Sequence, residues 1–259
     1  MLVEAVVVPG APALVPELMG AAAGELSQLR GAAIRALSQL TGRLLVTRRE
    51  GPVRLVVLGP GRDGSHDPRG EVSFVQFGKD VRVPPLARDV PPASVNLPTS
   101  VMVVRYLVSR VGRAPDRPTG EAFDGAHVQG LWAGAEWLTG GPVRAAEVGR
   151  ELRVDPRPVG LVLVADGATS HGPKAPRAED SRAGPSDAAI WSALASGEPA
   201  ALRDADLALS AHLGATGPAM WPALIAACAG RRFHAELLWQ GAPYGVGWAV
   251  ASWHRRPVG

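Results

Sequence analysis

The sequence predicts an α/β fold, a single three-layer αβα domain over residues 1–259 with a mixed, largely parallel central sheet. Two observations carry this. Aliphatic and β-branched runs at residues 2–8 and 53–58 flank an Ala- and Leu-rich helical stretch, the strand, helix, strand order of a parallel crossover. Residues 159–165 are apolar without alternation, the pattern of a strand covered on both faces.

The elements follow in order. The first strand ends at Pro9-Gly10-Ala11-Pro12, where two prolines stop the ladder. Leu18, Leu26, Leu29, Ala33, Leu37 and Leu40 recur at helical spacing, giving one long or broken helix over residues 16–48, weakened by Gly20, Gly24, Gly31 and Gly42. The second strand, residues 53–58, ends at Gly59-Pro60-Gly61. Residues 62–98 read as loop, with a hairpin between 72–77 and 81–83. A helix is expected at 100–111, a polar flexible connection at 112–130 and a strand at 143–148. After the strand at 159–165 comes a polar loop, 166–184, then two or three helices within 185–230. Two closing strands fall at 235–239 and 246–253.

Composition narrows the class. One cysteine, Cys228, excludes a disulfide scaffold and reads as a small core residue. No apolar run reaches the roughly 18 residues of a membrane span, and the N-terminal run lacks the basic flank of a signal peptide, so a cytoplasmic protein is expected. The pI of 9.6 suggests nucleic acid, but the 27 basic residues include only two lysines and are scattered among 24 acids. Scattered charge reads as a solvated surface, so neither nucleic acid nor membrane is an expected partner.

In open α/β sheets ligands sit beyond the carboxyl ends of the strands, so three loops matter: 9–12, 59–67 and 166–174. They hold Asp63, Ser65, His66 and Asp67, and Asp166, Thr169, Ser170, His171 and Lys174. Two histidines on two strand-end loops suit a base with its orienting group, or metal ligation. His234 and Glu236, two apart on one strand, share a face and are a candidate late ligand pair. His127, His212 and His254 read as surface residues. Dinucleotide, phosphate-loop and nucleophile-elbow motifs are absent. Trp239, Trp248 and Trp253 read as core or as an aromatic wall, and Arg62 as a holder of a substrate carboxylate.

Four segments taken together resemble the class III extradiol ring-cleavage dioxygenase family, in a bacterial branch built like the catalytic subunit of protocatechuate 4,5-dioxygenase. They are residues 1–9, residues 12–17, the strand at 159–165 leading into Asp166-Gly167-Ala168-Thr169-Ser170-His171, and Ala242-Pro243-Tyr244-Gly245-Val246-Gly247-Trp248 with Ala251-Ser252-Trp253. The resemblance implies a non-haem Fe(II) site that opens a catechol-type ring, with two early histidines and a late acid or histidine on the metal. A further histidine acts as acid and base, and His171 matches it, with Asp166 beside it. Beside these, Arg62, Ser170 and Tyr244 are the candidate substrate-binding residues. Where the family reads Pro-His-Pro-Pro, this chain has Gly10, which cannot coordinate; a displaced set of His66, Asp63, Glu236 and His234 is the remaining candidate for the metal. Two alternatives stand beside this one: a metal-free relative that binds a small molecule or protein in the same cleft, and metal-independent acid/base chemistry by His171. Expected partners are a small-molecule substrate, an aromatic diol on the first reading, and a second copy of the chain.

Overall fold

The computed structural model describes residues 1–88, 90–91, 97–112 and 124–255. The chain runs β1 (Leu2–Val8), α1 (Pro16–Met19), α2 (Ser27–Arg48), β2 (Arg54–Pro60), β3 (Gly64–His66), β4 (Val72–Ser73), β5 (Arg82–Val83), α3 (Thr99–Val108) and α4 (Gly125–Ala133). It continues with β6 (Glu136–Gly140), α5 (Pro142–Val154), β7 (Val159–Val164), α6 (Ala183–Ser196), α7 (Pro199–Asp204), α8 (Leu207–His212), α9 (Gly217–Cys228), β8 (Phe233–Gly241) and β9 (Trp248–Arg255). Seven strands form one sheet in the order β3-β6-β2-β7-β1-β9-β8. The inner four are mutually parallel, and β3, β9 and β8 pair antiparallel at the flanks, which is the mixed, largely parallel sheet expected.

Strand alternation divides the core between two faces. Val6, Val8, Val57, Val162 and Val164 point to the side packed with α2, α3 and α4. Ala5, Val7, Val56, Leu58, Leu161 and Leu163 point to the side packed with α5, α6 and α9. Strand β7 lies between β1 and β2, so the loops after all three meet at one sheet end. That junction is where an α/β sheet offers a crevice.

Three expectations are corrected and one is narrowed. Residues 143–148 lie in α5, because Pro142 opens a helix and Ala145, Val148, Gly149 and Leu152 form its buried stripe; the neighbouring strand is β6 instead. The stretch 16–48 takes the broken form of the two expected: Gly20, whose φ of 56° no helix accepts, parts it, and a 3₁₀ segment separates α1 from α2. The hairpin at 72–83 contracts to two paired residues a side, β4 and β5, with a 3₁₀ turn at Val75–Phe77. Four helices, α6 to α9, occupy the stretch given two or three. Of the expected polar connection at 112–130, residues 113–123 lie outside the described residues, and α4 occupies most of the remainder. Among the described residues no helix is long and apolar enough to cross a membrane.

Candidate active site

Strand β7 delivers the chain to the sheet end at Asp166. The Asp166 carbonyl accepts the N–H groups of Thr216 and Gly217 at 2.9 and 3.0 Å, and its own N–H donates to Thr216 Oγ1 at 2.9 Å. The start of α9 therefore fixes the root of the loop. Farther along, Thr169 N–H donates to the Leu213 carbonyl, and Ser170 Oγ donates to the same oxygen at 2.9 Å. Ser170 is buried in that bond, so its hydroxyl holds the loop down and is not free to touch a ligand.

His171 follows with its backbone N–H donating to the Gly245 carbonyl at 3.1 Å, and its Nε2 lies 2.7 Å from Asp187 Oδ2. Asp187 stands on α6, is only 1% exposed, and also accepts the Ala168 N–H at 3.1 and 3.0 Å on its two oxygens. A carboxylate accepting from Nε2–H fixes the imidazole tautomer and leaves Nδ1 as the basic nitrogen. No hydrogen bond to His171 Nδ1 is formed among the described residues.

The backbone around this pair leaves no room for side chains. A Cβ at Gly167 would lie 2.6 Å from Asp187 Oδ2. At Gly247 it would overlap that oxygen and come within 3.2 Å of His171 Nε2. Gly247 N–H donates to the Ala168 carbonyl, and its own carbonyl accepts the Gly167 N–H, so the two glycine segments are laced together around the carboxylate. The dyad is thus built by three elements: the loop after β7, helix α6 and the turn before β9.

Asp166 sits beside it, with Oδ1 accepting the Gly10 N–H at 3.1 Å. Burial pushes its carboxyl up to about 6, opposed by the Gly10 N–H and the Trp248 indole. Asp166 and Asp187 share the lining of a cavity of about 10 Å³, the size of one water, with Trp221 and Pro218.

The other sequence candidates are dispersed. His66 lies on the outer strand β3, where its Nε2 is 2.8 Å from Thr139 Oγ1, whose proton goes to the Arg62 carbonyl at 2.7 Å. Burial pushes the His66 imidazole down. Arg62 itself is exposed. Asp63 accepts the Gly141 N–H at 3.2 Å, which ties its loop to the residue preceding α5. His234 and Glu236 are exposed on β8, the opposite edge of the sheet, and His234 packs against the His254 ring at 4.8 Å. Six strand spacings separate β3 from β8, on the order of 28 Å, too far for His66 and Glu236 to share an ion. Among the described residues no three His, Cys, Asp or Glu side chains are placed to hold a metal, so the implied iron does not fit this donor set.

Tyr244 has a left-handed backbone, φ 58°, and its hydroxyl donates to Glu25, away from the dyad. Trp248 and Trp253 are core residues, the latter donating from Nε1 to the Leu194 carbonyl at 2.7 Å; His254, expected on the surface, is half-buried in β9. Cys228 is buried, as expected of a small core residue. Asp187, the partner of His171, is absent from the candidates the sequence offers. Its only trace there is the pair of glycines, Gly167 and Gly247, whose bareness the carboxylate requires.

No family model matches the chain, and no curated protein matches it. A solved structure of an uncharacterized protein from Escherichia coli K12 aligns over 96% of this chain and 99% of its own, with a TM-score of 0.41 and 12% identity. That likeness carries no functional argument.

Proposed function

We propose that the chain is an extradiol-dioxygenase-like protein that performs metal-independent proton transfer on a small molecule, with His171 as the base and Asp187 as its orienting carboxylate. The observation that carries the reading is the Asp187–His171 contact at 2.7 Å inside a wall of glycines, with Nδ1 unengaged. A neutral imidazole so held accepts a proton from an acidic C–H or O–H through Nδ1 and returns it to another atom of the same molecule. The net reaction is a tautomerisation, and no co-reactant is consumed. Asp187 stabilises the imidazolium formed in between.

The test is solvent-deuterium incorporation into a panel of enolisable and phenolic small molecules, followed by NMR. Exchange with the native protein should fall by about 10²–10⁴-fold in His171→Ala. Equal exchange by the two proteins across the panel overturns the reading. The ring-cleaving alternative is supported by the match of Asp166-Gly167-Ala168-Thr169-Ser170-His171 to the family pattern; a yellow ring-opened product from a catechol after anaerobic loading with Fe(II) would favour it.

A further inference from the structure

The family resemblance makes position 10 the place of a metal-binding histidine, and the packing around Gly10 bears directly on whether that place still exists. Gly10 leaves β1 at the crevice between the ends of β1, β7 and β2. Its N–H is committed to Asp166 Oδ1. A Cβ at this position would lie 2.8 Å from Val164 Cγ1, 3.3 Å from Asp166 Oδ2 and 3.8 Å from Ser100 Cα. Val164 is fully buried, branched at Cβ, and paired with Val8 in the β1/β7 ladder, so its side chain is stiff and enclosed and moving it carries a cost.

The second strand end is closed in the same way. A Cβ at Gly59, on β2, would come within 2.4 Å of Ser100 Oγ and 2.7 Å of Ser100 Cβ. Ser100 belongs to the first turn of α3 and is 7% exposed, so this helix packs directly on the end of β2. Val164 and Asp166 flank Gly10 from the β7 side. At both strand ends the backbone lies against its neighbour with no space for a Cβ, and the two glycines are what allow that approach.

We infer that Gly10 seals this corner against a metal ligand, so that a histidine restored at position 10 cannot seat its side chain there and cannot hold iron. The inference rests on the resemblance and deepens the metal-independent reading: the change at position 10 is accompanied by a rebuilt surround, and reversing one residue does not reverse the surround.

The experiment compares the native protein with Gly10→His and Gly10→Ala. Each is loaded anaerobically with Fe(II), desalted, assayed for iron per chain by mass spectrometry, and melted. The expected result is that Gly10→His retains no more iron than the native protein, and that Gly10→Ala melts about 2–8 °C lower because its Cβ must displace Val164. One further equivalent of iron held by Gly10→His overturns the inference. So does a Gly10→Ala protein that melts at or above the native temperature, which keeps the test intact if the histidine variant fails to fold. The His171 reading is judged separately: iron held by Gly10→His alongside proton exchange lost in His171→Ala would remove the seal and leave the dyad, and the converse pair of results would remove the dyad and leave the seal.

Discussion

A methyl group at Gly247 would overlap the oxygen of Asp187 that holds His171, which makes this residue a direct probe of the dyad. Gly247→Ala should push the carboxylate off Nε2 and cost about 1–3 kcal/mol of stability by overpacking. The imidazole would then no longer be held in one tautomer, and ¹⁵N chemical shifts of the His171 ring should move from a single Nε2–H form toward a mixture. Unchanged ring shifts in a folded Gly247→Ala would mean that Asp187 does not set the tautomer. Asp187→Asn keeps the size of the side chain and removes its charge, so it tests the same contact without overpacking. His171 was legible in the sequence because it follows a strand end, where α/β sheets place ligands. Asp187 was not, because an acid on a helix 16 positions later shares no periodicity with its partner. The loss of a first ligand at Gly10 was legible as well, but the packing of Val164 and Ser100 around it belongs to tertiary structure alone.

Helix α3 is anchored by a cation with no acid beside it among the described residues. Arg105 is fully buried and donates from Nε to the Pro68 carbonyl at 2.7 Å and from Nη2 to the Pro84 carbonyl at 2.8 Å. Burial pushes its guanidinium down to about 10. Those two bonds hold the excursion carrying β4 and β5 against α3. Removing them in Arg105→Ala leaves both carbonyls without their donor, a loss of about 2–5 kcal/mol. Arg105→Lys should recover only part of it, since a point-like ammonium lacks the planar fork that reaches both oxygens. Urea unfolding reads both, and an Arg105→Ala midpoint equal to the native one would show that the excursion is held some other way. At this scale the sequence was legible where strands are buried on both faces, at β1, β2 and β7. It was not legible at β3, whose Gly64-Ser65-His66 has no β-branched residue and pairs only because β6 offers an edge. At α5 a helical stripe on an outer layer looked like a strand because Val143 and Val148 bound a short window.

For the whole molecule, the buried acid and the half-buried base of the antiparallel flank set opposite pH dependences. Glu4 on β1 and His254 on β9 are ladder partners, with His234 opposite His254 on β8 and Arg43 reaching down from α2. Ser252 Oγ donates to Glu4 Oε1 at 2.6 Å, and Arg43 Nε lies 3.0 Å from Oε2 but off the line of a hydrogen bond. Burial raises the Glu4 carboxyl from an ordinary 4.5 to about 7, with Ser252 and Arg43 opposing and Glu236 adding. An unfolded chain releases this proton near pH 4.5 while the folded one keeps it to about 7, so Glu4 makes folding progressively less favourable across that window. The full effect is roughly 3 kcal/mol. His254 works the other way: burial, Arg43 and His234 lower it from 6.5 to about 4, so the unfolded chain takes up a proton first and stability falls as pH drops from 6.5 to 4. In the native protein the two slopes overlap and partly cancel, which hides both. Single variants separate them, because the packing and hydrogen bonds that a substitution removes shift stability by a constant, while a removed titration changes its slope. The stability of Glu4→Gln relative to native should climb as pH rises from 4.5 to 7 and level off above. That of His254→Asn relative to native should climb as pH falls from 6.5 to 4. Chemical unfolding at half-unit pH steps measures both differences, and a Glu4→Gln difference that stays flat across its window would show that the carboxyl is already ionised in the folded protein at pH 5.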